Sequence, residues 1–218
     1  MRFSLAFSTF LLFLGTSSVF AQTAVGASRS VACTTNSGYT IADVVETARS
    51  FPWSEESAPG LVVIRNRVAG NGSSQFDFII DSFYPSYTDM IEKRGALLQR
   101  RAGRNGRRGL AGVATCNDNV RIRNIRFAAA VPGGPGSIQP LTAVVTTGCD
   151  LNGATVADVV ALASGIAETV GAGAFVRNAG FGGGQGVPIN ARARMTFFFP
   201  SFADFGAGVD RFNQNQVA

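Results

Sequence analysis

Apolar and polar positions along this chain follow two periods, and the period switches repeatedly. Over 41–51 the apolar residues Ile41, Val44, Val45, Ala48 and Phe51 recur every three to four positions, the spacing of one helix face. Over 76–84 the period is two. Phe76, Phe78, Ile80 and Tyr84 fall on one side, and Asp77, Ile79, Asp81 and Phe83 on the other, which predicts a strand. The same reading predicts strands at 29–35, 61–68 and 120–128, and a helix over 87–101 with Tyr87, Met90, Ile91, Leu97 and Leu98 on one face. Gly70-Asn71-Gly72-Ser73 is a turn, and 103–112 is a loop. The order is βαββαβ. A Pro/Gly-rich connector at 131–140 precedes strands at 141–147, 174–178 and 192–199 and helices at 156–170 and 202–212. This second series is βαββα and stops one strand short.

The two series are copies. Thr40-Ile41-Ala42-Asp43-Val44-Val45 returns as Thr155-Val156-Ala157-Asp158-Val159-Val160, an offset of 115 positions (155 less 40). Tyr84-Pro85-Ser86-Tyr87-Thr88-Asp89 returns as Phe199-Pro200-Ser201-Phe202-Ala203-Asp204 at the same offset. A period this long describes a duplicated domain, not a solenoid unit. Much of the repeated matter is helix grammar. Thr40, Ser86, Thr155 and Ser201 each stand three residues before an aspartate, the arrangement of a capping box with Asp in place of Glu. The hydroxyl accepts a backbone N–H, and the carboxylate sits at the positive helix end. Asp43, Asp89, Asp158 and Asp204 are therefore read as caps and not as catalytic groups.

The βαββαβ order, with Tyr84-Pro85-Ser86-Tyr87 and Phe199-Pro200-Ser201-Phe202 ending a strand before an amphipathic helix, resembles the dimeric α/β-barrel families of ferredoxin-like units. The resemblance implies an α+β fold with two tandem ferredoxin-like βαββα(β) repeats, at 22–130 and 141–218, joined by the linker 131–140. They pair as an intramolecular pseudo-dimeric α/β barrel, although the missing fourth strand of the second repeat bears against full closure. That superfamily includes monooxygenases, haem enzymes, isomerases and stress proteins, and no catalytic residue set carries over to this chain. Its sheets place the first and fourth strands side by side, which implies a Cys33–Cys116 disulfide. Cys116–Cys149, across the hairpin around the connector, is the competing pair.

Composition narrows the chemistry. Arg2, the apolar stretch 5–14 and Val19-Phe20-Ala21 read as a secretory signal peptide over 1–21, so the expected location is periplasmic or extracellular. No second apolar run approaches the length of about 20 residues that spans a bilayer. An exported chain with three cysteines is expected to form one disulfide and leave one thiol. Histidine is absent from all 218 residues, which removes Ser-His and Cys-His pairs, proximal-His haem and the usual zinc sites. No metal and no cofactor is expected. Of 19 basic residues Lys93 is the only lysine, and the formal charge is +5. Lys93, Arg94, Arg100, Arg101, Arg104, Arg107 and Arg108 cluster in one run, which suits weak contact with an anionic surface. Without interleaved aromatics it does not suggest nucleic acid.

Strand alternation gathers the candidate site. Opposite the helix-facing residues it places Asp77 and Asp81, Arg65 and Arg67, Arg121 and Arg123, then Arg177, Arg192 and Arg194 with Thr196 and Phe198. In the resembled barrel that face lines a lumen. Buried guanidiniums must pair or bind an anion, and arginine grips carboxylate or phosphate bidentately. The glycine-rich 180–186 fails both G-x-G-x-x-G and Walker spacing and reads as a hairpin loop. Trp53-Ser54-Glu55-Glu56 has no counterpart in the second copy. The expectation is an exported, non-catalytic module binding a small anionic or partly apolar molecule between the repeats. The alternatives are a cofactor-independent monooxygenase- or isomerase-like enzyme using Asp77 or Asp81 as a base, and an envelope interaction protein using the basic run 93–108.

Overall fold

The computed structural model describes residues 25–66, 76–102, 109–117, 120–179 and 192–216. The first repeat comprises β1 (Val25–Thr35), α1 (Ile41–Arg49), β2 (Leu61–Asn66), β3 (Phe78–Tyr84), α2 (Tyr87–Ala102), the short β4 (Ala114–Cys116) and β5 (Arg121–Ala129). The second comprises β6 (Val144–Asp150), α3 (Val156–Val170), β7 (Gly173–Ala179), β8 (Arg192–Phe198) and α4 (Phe202–Gln216). The fold is α+β, and the second repeat ends on its helix.

All the strands join in one antiparallel sheet, curled, in the order β2-β3-β1-β5-β7-β8-β6, with β4 attached beside β1. Within each repeat the first strand pairs with the third and the third with the second, as in a ferredoxin-like unit. The repeats join where β5 pairs with β7, from Arg123↔Ala179 to Ala129↔Ala174, with a bulge between Phe127 and Ala129. The duplication thus makes the pseudo-dimer within one chain. Among the described residues β2 and β6 remain as sheet edges. A fourth strand in the second repeat, placed by the same symmetry as β5, would run between β6 and β2. Among the described residues no strand occupies that place.

The helices form where the caps predict. Thr40 and Thr155 make complete capping boxes with Asp43 and Asp158. Ser86 and Ser201 accept the backbone N–H of Asp89 and Asp204 at 3.1 and 3.2 Å. Helix α1 ends at Arg49, not at 51, because Phe51 precedes Pro52, which disfavours helical backbone. Gly171 closes α3 with φ 68°, a left-handed conformation that an added side chain would strain. Helix α3 buries Val159, Val160, Ala163, Ala167 and Val170 against Val176, Met195 and Phe197 of the sheet, the largest apolar cluster. The first repeat has a smaller core around Val31, Val44 and Phe78.

Three boundaries differ from the sequence reading in ways that matter. Strand β3 starts at Phe78, so Asp77 lies before the ladder. Strand β6 runs to Asp150, which brings Cys149 and Asp150 into the sheet. Strand β4 lies just beyond the expected loop 103–112 and pairs with the end of β1, setting Cys33 opposite Cys116. Those two cysteines are disulfide-bonded and Cys149 is a free thiol, which excludes the Cys116–Cys149 pairing. No helix among the described residues is long and apolar enough to cross a membrane.

Candidate functional site

The helices cover one face of the sheet; the other is concave and carries a separate set of side chains. Its floor is aromatic. Phe83, Ile125 and Phe175 are buried there with Val63 and Phe198 packed against them. The ring of Phe175 lies 5.4 Å from Phe83 and 5.1 Å from Phe198, so the floor runs from the first repeat into the second. The Arg177 guanidinium lies over the Phe175 ring at 5.3 Å, a cation–π arrangement that helps a buried cation.

On this floor stands a polar network built around Asp81, which is 1% exposed. Its Oδ1 accepts from Ser30 Oγ at 2.5 Å and from Arg177 at 3.2 Å. Its Oδ2 accepts from Arg65 Nε and is 2.6 Å from a terminal nitrogen of the same guanidinium. Arg177 also donates to Thr196 Oγ1 at 3.2 Å, and Thr196 meets Thr146 at the same distance. The chain is thus β1, β3, β2, β7, β8 and β6, six strands linked through one carboxylate. Strand register explains why these side chains meet. Ser30 lies directly opposite Asp81, and Arg65 pairs one ladder step along on the same face. Arg177 comes from the other repeat because the sheet curls.

Positive charge exceeds what Asp81 can balance. Arg121 and Arg123 alternate on the concave side of β5, and Arg194 sits directly across the β7–β8 ladder from Arg177. Among the described residues no carboxylate pairs with Arg121, Arg123 or Arg194. Burial, with repulsion from Arg194 and Arg121, holds Arg123 below its ordinary value. Arg194 is lowered by partial desolvation and by the like charges of Arg121, Arg65 and Arg192, although its side chain still reaches solvent. Arg177 is pulled down to about 10, chiefly by burial, with Asp81 opposing the shift and Arg65, Arg123 and Arg194 adding to it. Exposure is graded: Arg121 and Arg194 are exposed, Arg123 half-buried, Arg177 buried. Two buried atoms of this face lack a hydrogen-bond partner, Ser28 Oγ and Arg177 Nε.

The sequence-derived candidates divide accordingly. Arg65, Asp81 and Arg177 meet in one network, and Arg121, Arg123 and Arg194 share its face. Arg192 stands at the start of β8 in an exposed pair with Asp150 at 2.5 Å. Asp77 is apart from them: its carboxylate accepts from the Thr35 hydroxyl at 2.7 Å and backbone N–H at 2.8 Å, and these bonds lower its pKa. Arg67, Arg104, Arg107, Arg108 and the loop 180–186 lie outside the described residues, as does the Arg101 side chain. Arg100 donates to Ser57 Oγ at 3.5 Å. Trp53 lies against Phe51, ring centroids 4.6 Å apart. Sequence reasoning missed Ser28 and Ser30. Ser28 lies outside the strand expected at 29–35, while Ser30 lies within it on the face opposite Val31 and, as a small uncharged residue, carries no sequence signal of a site.

Haem, which some members of the resembled superfamily carry, finds no imidazole ligand in a chain without histidine. Among the described residues the concave face offers guanidiniums, hydroxyls and carboxylates in place of the sulfur or phenolate ligands haem iron otherwise takes. Met195 and Cys149 belong to the helix-covered core. The residues present do not fit that group. No group of three or more potential metal ligands occurs among the described residues.

No family model matches the sequence, and no curated protein matches it. Solved structures do resemble it in fold. A protein provisionally named a chlorite dismutase is 14% identical, with a TM-score of 0.45 over 87% of this chain and 86% of that one. Two mutant chlorite dismutases from Candidatus Nitrospira defluvii are 11% and 12% identical, with TM-scores of 0.38 and 0.41, each over 87% of this chain and 82% of the other. The expectation of a non-catalytic binding module is corrected here. The solved structures this chain resembles are described as enzymes. At these identities the likeness is one of fold, and the chemistry is argued from the side chains.

Proposed function

We propose that the chain is a cofactor-independent enzyme of the isomerase type, acting on a small, partly apolar anion bound on the concave face. It belongs, in this reading, to an exported, tandem-duplicated branch of the dimeric α/β-barrel fold, with 1–21 as its leader. The observation that carries the reading is Asp81, the one buried carboxylate of that face among the described residues, held among guanidiniums that outnumber it. A site of this composition separates two tasks. Guanidiniums bind the substrate anion and stabilise negative charge that develops on an adjacent oxygen. Asp81 takes and returns the proton.

Ser30 supplies the route. Its hydroxyl donates to Asp81 Oδ1 and, being a rotor with free lone pairs, links the buried carboxylate to the concave face. A proton leaves the carbon beside the substrate's carbonyl and passes by way of Ser30 to Asp81. The electron pair moves to the carbonyl oxygen, which becomes an enolate facing Arg177. In an α-hydroxy carbonyl substrate the Asp81–Ser30 pair, its proton exchanging with solvent, then delivers a proton to the former carbonyl carbon while the hydroxyl proton passes to the former carbonyl oxygen, so the carbonyl moves by one carbon and no oxidant or reductant is consumed.

The test begins with a thermal-shift screen of small anionic ketones and aldehydes, its hits followed by NMR in D2O. Deuterium appears at the labile carbon with the native protein. With Asp81→Asn or Ser30→Ala, melting curves confirming the fold, incorporation falls at least about a hundredfold, the contribution typical of a positioned acid–base group. Binding partners that exchange no deuterium, or full exchange in both variants, would overturn the reading.

A further inference from the structure

We infer that the fixed anion of the substrate is a dianionic tetrahedral oxyanion, a phosphate monoester, held by Arg121, Arg123 and Arg194 beside the Ser30–Asp81 pair. This deepens the enzyme reading above and rests on it.

Three observations support it. Register comes first: across the sheet Asp81, Ser30 and Arg121 are successive partners on β3, β1 and β5, so a group bound at Arg121 is adjacent to the proton route. Charge comes second. Arg65 and Arg177 are ion-paired with Asp81, whereas Arg121, Arg123 and Arg194 form no ion pair with a described carboxylate; the field of Arg194 and Arg121 helps hold Arg123 down against a weaker pull from Asp81, and that of Arg121, Arg65 and Arg192 helps hold Arg194 down. Like charges directly across a ladder, as Arg177 and Arg194 are, destabilise a sheet. A dianion offsets this repulsion better than a monoanion does. Third, Ser28 Oγ is fully buried, lies opposite Arg123 in the β1–β5 ladder and has no partner. A buried hydroxyl in that state calls for a bound acceptor or a water at the base of the site.

Shape then selects among anions. A planar carboxylate offers one edge to one guanidinium fork. Three forks arriving from two strands, β5 and β8, need several acceptor edges pointing in different directions, which a terminal PO3 group has. The rest of the ester lies toward Phe198 and the exposed ring of Phe127.

Thermal shift and calorimetric titration at matched ionic strength, with inorganic phosphate, phenyl phosphate, acetate, benzoate and chloride as probes, test the assignment. Phosphate raises the melting temperature where acetate and chloride do not, and phenyl phosphate binds more tightly than inorganic phosphate. Arg123→Met and Arg194→Met each weaken phosphate binding about tenfold or more, as expected for loss of a charged hydrogen-bonding partner. Arg194→Met also melts no lower than the native protein in the absence of ligand, because it removes a like-charge neighbour. Benzoate equal to or better than phenyl phosphate overturns the phosphate assignment but leaves the enzyme reading standing, as that reading is judged by deuterium exchange. An equal response to every anion, or phosphate binding unchanged in both variants, overturns the assignment as well.

Discussion

Asp81 is the residue on which most of the concave face depends, and its surroundings set what a substitution does. Its two oxygens are shared by Ser30, Arg65 and Arg177, and Arg177 is itself 3% exposed. Removing one member of a buried pair strands the other charge, which typically costs about 3–5 kcal/mol. Replacing both partners with apolar residues of similar size removes the stranded charge as well. Asp81→Leu alone is therefore expected to lower stability by about that amount, and Asp81→Leu with Arg177→Met by markedly less. Urea unfolding of the native, two single and one double variant reads the coupling directly. A double variant as unstable as the sum of the singles would show that Arg177 does not depend on Asp81. In either outcome deuterium exchange is lost if Asp81 carries the proton, so stability and chemistry are separable at this residue.

At the scale of the element, the helix starts were legible in the sequence because a cap is a local device. Thr155 and Asp158 are three residues apart, and no knowledge of the fold is needed to pair them. The structure adds a pH dependence. Asp158 is lowered by the Thr155 backbone and side-chain hydrogen bonds, and Asp43 by the Thr40 side chain and backbone. Each carboxyl thus binds its proton less readily in the folded state than in the unfolded one. The stability this gives is complete above the ordinary value of 3.8 and is lost as pH falls through it toward the depressed folded value. Thr155→Ala removes a cap, for about 1 kcal/mol near neutral pH. Its deficit relative to the native protein shrinks on acidification below about pH 4 as Asp158 gains a proton in both. Chemical denaturation at pH 7 and pH 3 measures this, and a deficit that stays constant would show that the Asp158 bonds do not contribute. Strands were less legible than helices, for a physical reason. Alternation assigns a residue to a face, but it does not say where the ladder begins or how neighbouring strands align. Asp77 and Asp81 share a parity, yet β3 begins after Asp77, whose carboxylate is spent on Thr35. Arg192 and Arg194 also share one, yet Arg192 falls at the strand end beside Asp150. The contact of Arg177 with a carboxylate 96 positions earlier depends on the curl of the whole sheet, which no local pattern contains.

The whole molecule depends on one seam. Duplication often yields two domains that fold independently, but here β5 of the first repeat hydrogen-bonds to β7 of the second. The apolar floor crosses the same line, since Phe83 packs on Phe175 and Phe175 on Phe198. The Asp81–Arg177 ion pair crosses it too. Neither half can complete the concave face alone, and a first repeat without the second would expose β5 as an unpaired edge, a template for aggregation. With β2 and β6 as edges, the β5–β7 ladder is the one sheet junction between the copies among the described residues. Unfolding is therefore expected to be a single cooperative transition, with calorimetric and van't Hoff enthalpies equal. Phe175 is the residue with most to reveal, because it touches both halves of the floor and lies under Arg177. Phe175→Ala is expected to cost about 3–5 kcal/mol and to broaden the transition as the halves uncouple, the smaller core around Val44 and Phe78 melting before the α3 core. The check is differential scanning calorimetry of both proteins. Two resolved transitions in the native protein would mean that the seam only joins two domains, and the site would then have to be sought within one repeat. A single transition that Phe175→Ala splits would show that the open sheet is held as one body at the same residues that build its concave face.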